Sequence, residues 1–349
     1  MLRVIDLRML NNSPYTREAD KHAMSIWGPS IPNLRGKTTR SKSEIVPLGV
    51  MDISPIPSGI LDNHGIIILG MDVVKINKVP FLVTTSRVVK LATACEMVST
   101  AMGSVVKEVV AVVRTYNARG FRVAAIAGDN AFTPMRHNES FVELNVLYNP
   151  TSEDEHEPYS ERLNRTLKER CRMCLSTLPF DRMPRRMLVE MVYMCIFWLN
   201  LYIPTDYISD HISPGTIATG WDYDYNKLCG PGTSFGEFVQ THEGTDNSMR
   251  PRIVSAITLR PSDNVQGSFY YFSLYTGRHL HRRRRTPNNM PDKIIDQIYE
   301  IADKQGALPG LTYISHNNEQ IQEDVIDEIS PQELEYAIDE IATQRTADY

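Results

Sequence analysis

Between residues 65 and 93 the chain is almost wholly apolar and β-branched, broken only by Asn77-Lys78 and Ser86-Arg87. Segments 66–69 with 72–76, 79–85 and 88–93 read as three consecutive strands. Breaks this short leave room only for antiparallel neighbours, since a parallel return needs a crossover of a dozen residues or more. A helix is predicted over 98–118, where Met102, Val105, Val106, Val109, Val113 and Tyr116 recur at three- and four-residue intervals before Gly120. An apolar strand at 121–127 runs into Gly128-Asp129-Asn130. A short helix at 134–139 and a fifth strand at 141–147 follow.

Two helices come next. The first, 160–178, carries Leu163, Leu167, Cys171, Cys174 and Leu178 along one side, with Ser160 placed to cap it. The second starts near Pro184, suited to a first helical turn, and runs to about 201. It is apolar nearly all round and should be buried. Three strands, helix, strand, short helix, strand, then helices is the element order of the ribonuclease-H-like α/β fold. The expected fold is a mixed five-stranded sheet with flanking helices, plus a small C-terminal β region.

The rest divides by texture. Residues 1–60 hold a helix at about 14–27 and then a proline- and glycine-rich basic linker, expected to be loop-like from 28 to 60. The α/β core spans 61–205. A loop-rich connector and small β region, with hairpins from 253 to 281, cover 206–290. A helix at about 291–304 and an acidic tail make up 291–349.

Composition sets outer limits. Of 349 residues, 42% are hydrophobic and 23% charged, ordinary for a globular protein, and the net charge is −5. That average hides an asymmetry. Residues 316–349 hold ten acids and one base, which leaves 36 bases and 32 acids over 1–315, a net of +4. A mildly basic body with an acidic tail is compatible with a DNA partner. The five scattered cysteines point to reduced thiols and an intracellular setting. The longest apolar run falls short of the roughly 20 residues that span a bilayer, so no membrane partner is expected.

Several motifs fail on inspection. Gly36-Lys37-Thr38 resembles the end of a P-loop, but Ile31 stands where its first glycine belongs. Residues 1–60 contain His22 and no cysteine, so no zinc is expected there. Cys171 and Cys174 have metal-site spacing, but they lie within a helix and lack a second ligand pair nearby.

The chemistry-bearing candidates are carboxylates. Asp72 interrupts an otherwise apolar strand, where an unpaired buried charge would be costly. Asp129 stands just past the end of an apolar strand, where α/β sheets place ligand-binding groups. Glu161 opens a helix whose following turns carry Arg162, Arg165, Lys168, Arg170 and Arg172. Oxygen ligands suit Mg²⁺ or Mn²⁺, and a basic helix suits phosphate. His279 and His281 lead into Arg282, Arg283, Arg284 and Arg285, a run suited to phosphate contacts.

Tyr148-Asn149-Pro150-Thr151-Ser152 followed by Ser160-Glu161-Arg162-Leu163-Asn164-Arg165-Thr166-Leu167-Lys168 resembles the third catalytic block of retroviral and retrotransposon integrases. Gly128-Asp129-Asn130 resembles the second block and Leu69-Gly70-Met71-Asp72 the first. Trp198-Leu199-Asn200 and Ser213-Pro214-Gly215-Thr216 with Thr219-Gly220 resemble the copia-type branch of LTR retrotransposons. The resemblance covers about 60–310. It implies 3′-end processing and DNA strand transfer on two Mg²⁺ or Mn²⁺ ions, with Asp72, Asp129 and Glu161 as metal ligands and catalytic residues. It also implies DNA contacts by Asn164, Arg165, Lys168, Arg172 and Arg282–Arg285, a homo-oligomer acting on retroelement ends and target DNA, and origin in a polyprotein. Three features depart from the pattern: a shortened step from Asp129 to Glu161, extra acids before Glu161 that make Glu157 a second choice of ligand, and no zinc module ahead of the core. They keep open a decayed or co-opted DNA-binding relic, and a ribonuclease-H-type nuclease.

Overall fold

The computed structural model describes residues 16–36, 53–151, 158–205, 207–244, 249–262, 264 and 266–314. Its elements are α1 Arg17–Trp27, α2 Ile31–Gly36, α3 Ser58–His64, β1 Ile66–Ile76, β2 Val79–Ser86, β3 Ala92–Glu96, α4 Met102–Asn117, β4 Arg122–Asp129, a 3₁₀ helix Asn130–His137, α5 Glu139–Val142, β5 Leu147–Thr151, α6 Pro158–Ser176 and α7 Arg185–Leu201. They continue with α8 Pro214–Thr219, α9 Tyr225–Leu228, β6 Phe238–His242, β7 Ile253–Pro261, β8 Phe269–Ser273, β9 His279–Arg282, β10 Arg285–Pro287, α10 Asp292–Lys304 and β11 Tyr313–Ile314.

The first sheet has the order β3-β2-β1-β4-β5. Strands β1 to β3 form the expected antiparallel meander, while β4 and β5 run parallel to β1. The β1–β2 turn places Asn77 and Lys78 at φ 47° and 68°, the left-handed pair that a two-residue hairpin loop requires. Alternation in β1 divides its side chains between two cores. Leu69, Met71 and Val73 pack on one face with Val105, Val109 and Val113 of α4. Val74 and Ile76 point the other way, toward Leu167 and Cys171 of α6 and Met187, Met191 and Val192 of α7.

The second sheet is antiparallel, in the order β10-β6-β7-β8-β9. β9 and β10 are consecutive in sequence but occupy opposite edges, linked only by Arg283 and Arg284. A link that short requires the sheet to curl back on itself. The amide of His242 donates to the carbonyl of Arg284 at 3.2 Å and helps close the curl. Ile257, Leu259 and Phe272 of this sheet share one core with α7 and the first sheet, so α7 is buried from both sides.

A polar knot marks that junction. Glu190 of α7 is 2% exposed and accepts from Arg260 Nε of β7 at 2.8 Å. The Arg260 guanidinium lies over Tyr193 and Tyr270, at 5.4 and 4.8 Å from the ring centroids. His279 stacks on Tyr270 and reaches Glu190 Oε1 at 3.3 Å. Burial, then Arg186, Arg260 and His281, lower the His279 pKa to about 4. Because Arg260 already balances Glu190, the imidazole stays neutral near pH 7 and the contact is a hydrogen bond.

Several elements differ from the sequence-based expectation. The fifth strand lies at Leu147–Thr151, after the predicted 141–147, because Asn138 caps a helical turn and Phe141 is buried within it. The third strand lies at Ala92–Glu96, a few residues later than predicted. Ser160 does not cap its helix: it lies inside α6 and is 3% exposed. Within the stretch expected to be loop-like, α2 and α3 form. Strand β6 arises in the loop-rich connector, and β11 pairs with the far end of β1, adding a sixth strand to the first sheet. Glu157 and residues 315–349 lie outside the described residues, so the acidic tail does too. No helix of the described residues is long and apolar enough to cross a membrane.

Candidate active site

The parallel register between β1 and β4 pairs Ile68 with Ala125 and Gly70 with Ala127. Two residues further along each strand stand Asp72 and Asp129, on the same face. Strand β5 continues the rows, with Leu147 beside Ala125, Asn149 beside Ala127 and Thr151 beside Asp129. Successive rows across this face therefore read Ile68-Ala125-Leu147, Gly70-Ala127-Asn149, then the two aspartates with Thr151. Ile68 and Leu147 are 39% and 74% exposed, so the face is an open shelf of small and exposed residues ending at the carboxylates.

Close approach of β4 to β1 depends on Gly128. A Cβ there would lie 2.8 Å from Met71 Cγ and 3.2 Å from the Met71 carbonyl oxygen. It would also lie 3.0 Å from the hydroxyl of Tyr148, which donates to the Asp129 carbonyl at 2.5 Å. The Tyr148 phenol is held well above its usual pKa, first by burial, then by Asp129, with a further contribution from Asp72, while Arg136 opposes the shift. Its place is fixed from the 3₁₀ helix, where Arg136 Nη2 donates to the Tyr148 carbonyl at 2.5 Å. Tyr148 is not among the site residues that the sequence nominates; its position just ahead of Asn149-Pro150 is the available signal.

Each aspartate has local bonds. Asp129 Oδ1 accepts from the Ala131 amide at 2.7 Å and caps the 3₁₀ helix. Asp72 Oδ1 accepts from the Val73 amide, and Oδ2 from Asn164 Nδ2, both at 2.6 Å. Asn164 is 8% exposed and brings α6 down onto β1. Glu161 lies one helical turn before it, exposed on the same side of α6, since residues three apart are surface neighbours. The structure therefore bonds Asp72 to Asn164 and places Asp129 on the same face of the sheet. Among the described residues no three His, Cys, Asp or Glu side chains form a group that could hold a metal ion.

The basic candidates take different roles. Arg165 is exposed and pairs with Glu169 at 3.5 Å. Lys168 and Arg172 lie over the ring of Tyr313, at 5.6 and 5.9 Å, and so fasten β11 against α6. Arg282 grips Glu243 with two nitrogens, at 3.1 and 2.7 Å. Arg285 packs over Phe269 at 4.6 Å. Arg283 and Arg284 stand exposed in the link that closes the second sheet.

No family profile matches this chain, and no curated protein matches it. Among solved structures it is similar to the catalytic core domain of BIV integrase, at 16% identity and a TM-score of 0.31. That match covers 43% of this chain and 92% of the other.

Proposed function

We propose that the chain is an integrase-like polynucleotidyl transferase of a copia-type retrotransposon, built on a ribonuclease-H-like core. The observation that carries the reading is that Asp72 and Asp129 each stand two residues beyond the last β1–β4 pair, Gly70 with Ala127, on one open sheet face, with Asn164 tying the Glu161 helix to Asp72. The element order and the three sequence blocks support it independently.

Two adjacent carboxylates are a donor set suited to Mg²⁺ or Mn²⁺, and Glu161 is the third proposed ligand. Two such ions, when bound, activate a nucleophile and stabilise a leaving oxygen in phosphoryl transfer. The chain's own residues supply the frame. Asn164 holds the Asp72 carboxylate, Tyr148 and Gly128 hold the end of β4, and the shelf gives a nucleic-acid backbone room beside the acids. Arg165, Lys168, Arg172 and the Arg282–Arg285 run are the proposed phosphate contacts, with DNA ends and target DNA as substrates and a homo-oligomer as the working form.

The test is strand transfer of a duplex oligonucleotide by the full chain with Mg²⁺ or Mn²⁺. Activity should require the ion and fall to background in Asp72→Asn and in Asp129→Asn. Full activity in Asp129→Asn would sink the assignment.

Two observations favour a second reading, a DNA-binding relic: Asp72 has both oxygens engaged by protein donors, and no three-ligand group forms among the described residues. Calorimetric titration with Mg²⁺ separates the two. A relic gives no heat that Asp72→Asn removes.

A further inference from the structure

Away from the carboxylates, the end of α7, the start of α8 and the segment around α9 line an open cavity of about 290 Å³. Four aromatic side chains line it: Trp198, Tyr202, Tyr223 and Tyr225. Their arrangement is braced from beneath. Phe197 meets Trp198 and Tyr223 edge-on, with centroids 5.6 and 5.5 Å away and interplanar angles of 82° and 89°. Trp198 and Tyr202 stack at 6.4 Å. The Tyr225 phenol is pushed above its usual pKa chiefly by a hydrogen bond to Cys229.

The charge of the cavity is one-sided. Asp222 and His211 line it, and among the described residues no lysine or arginine does. The Asp222 carboxylate is fixed by the Ser54 hydroxyl at 2.8 Å and stays exposed at the surface. Several π faces beside a carboxylate favour a weakly hydrated cation, because each ring presents its negative face to a positive charge within about 6 Å. A phosphate-bearing ligand meets the opposite condition: a carboxylate with no cation among the described lining residues to offset it.

We propose that this cavity binds a methylated ammonium group carried on an aliphatic stem, with the four rings as the cage and Asp222 as the counter-charge. The chemistry is shared by a trimethylated lysine in a peptide and by a choline headgroup. The volume leaves room for part of the stem as well as the head. The site is separate from the carboxylate pair and does not depend on the catalytic reading.

The test is calorimetry on the full chain with four probes: a short peptide bearing one trimethyllysine, the same peptide with unmodified lysine, the same peptide with an uncharged tert-butyl isostere, and free choline. The trimethyllysine peptide should bind about tenfold or more tighter than the isostere and the unmodified peptide. Choline matching the peptide assigns recognition to the headgroup alone, and choline far weaker assigns it to a peptide. Tyr225→Ala and Asp222→Asn, both at exposed positions, should each weaken binding about fivefold or more with the fold intact by circular dichroism. Three results would each overturn the proposal: no heat with either methylated probe, equal affinity for the isostere, or displacement of the peptide by an oligothymidine whose own binding Tyr225→Ala abolishes.

Discussion

Asn164 Nδ2 lies 2.6 Å from Asp72 Oδ2, a bond across 92 residues that fastens the start of α6 to the central strand of the first sheet. Its other amide atom, Oδ1, is buried with no hydrogen-bond partner among the described residues, so this charge-assisted contact is what is seen to hold the side chain. Asn164→Ala should lower unfolding stability by about 1–3 kcal/mol, because it strands a half-buried carboxylate oxygen. Asn164→Asp should be worse at pH 7 and recover on acidification, as protonation removes the new like-charge pair. Urea unfolding at pH 7 and 4.5 checks both.

Gly128 is the second structural demand of the site. Gly128→Ala should cost about 1–3 kcal/mol by overpacking against Met71 and Tyr148. Gly103, within α4 and with nothing within 4 Å of an added Cβ, is the control. Gly103→Ala should stabilise by about 0.5–1 kcal/mol through helix propensity. Thermal melts of the two variants should shift in opposite directions.

Asn200, near the end of α7, acts as a side-chain substitute for a neighbouring strand. Its amide accepts from the Ala92 N–H at 2.9 Å and donates to the Ala92 carbonyl at 2.7 Å, while Tyr193 Oη accepts from the Glu96 N–H at 3.0 Å. Edge strand β3 is thereby partly covered. Asn200→Ala should cost about 1–3 kcal/mol, and Asn200→Asp at least as much, since a carboxylate would face the Ala92 carbonyl. Faster hydrogen exchange at the Ala92 amide in both variants would confirm the cause.

The junction between the sheets should respond to pH. The His279 pKa is depressed to about 4 from an ordinary 6.5, so the folded state favours the neutral ring. The associated stability is fully present above pH 6.5 and is lost as pH falls from there toward 4. The amplitude should be about 1 kcal/mol once solvent screening is allowed for. His279→Gln should flatten the stability curve across that window. Arg260→Met, by contrast, leaves Glu190 buried without its cation and should cost about 3–5 kcal/mol at pH 7.

What the sequence made legible was local. The hairpin at Asn77-Lys78, the α4 periodicity and the apolar strand running into Asp129 each declare themselves within a dozen residues. Strand β5 was misplaced because Phe141 and Val142 are apolar in either conformation, and Asn138 decided in favour of a helical turn. Strand β6 was hidden by the proline- and glycine-rich stretch before it. Long-range partners were not readable: Glu190 looks like a defect in an apolar helix until Arg260 arrives 70 residues later. The aspartates can be nominated by chain position, but only the β1–β4 register puts both two residues past the same row. Lys168 and Arg172 looked like phosphate ligands, yet their rings of contact include Tyr313, at the start of the tail.

The burial of α7 between two sheets has a practical consequence for anyone dissecting this chain. Residues 61–205 alone would carry α7 with the flank that meets Ile257, Leu259 and Phe272 stripped bare and Glu190 without Arg260. Such a fragment should aggregate or require solubilising substitutions, whereas a piece extending through α10 should melt in one transition. The helix makes the two β units one cooperative unit, so the smallest piece that folds is larger than the smallest piece that contains the carboxylates.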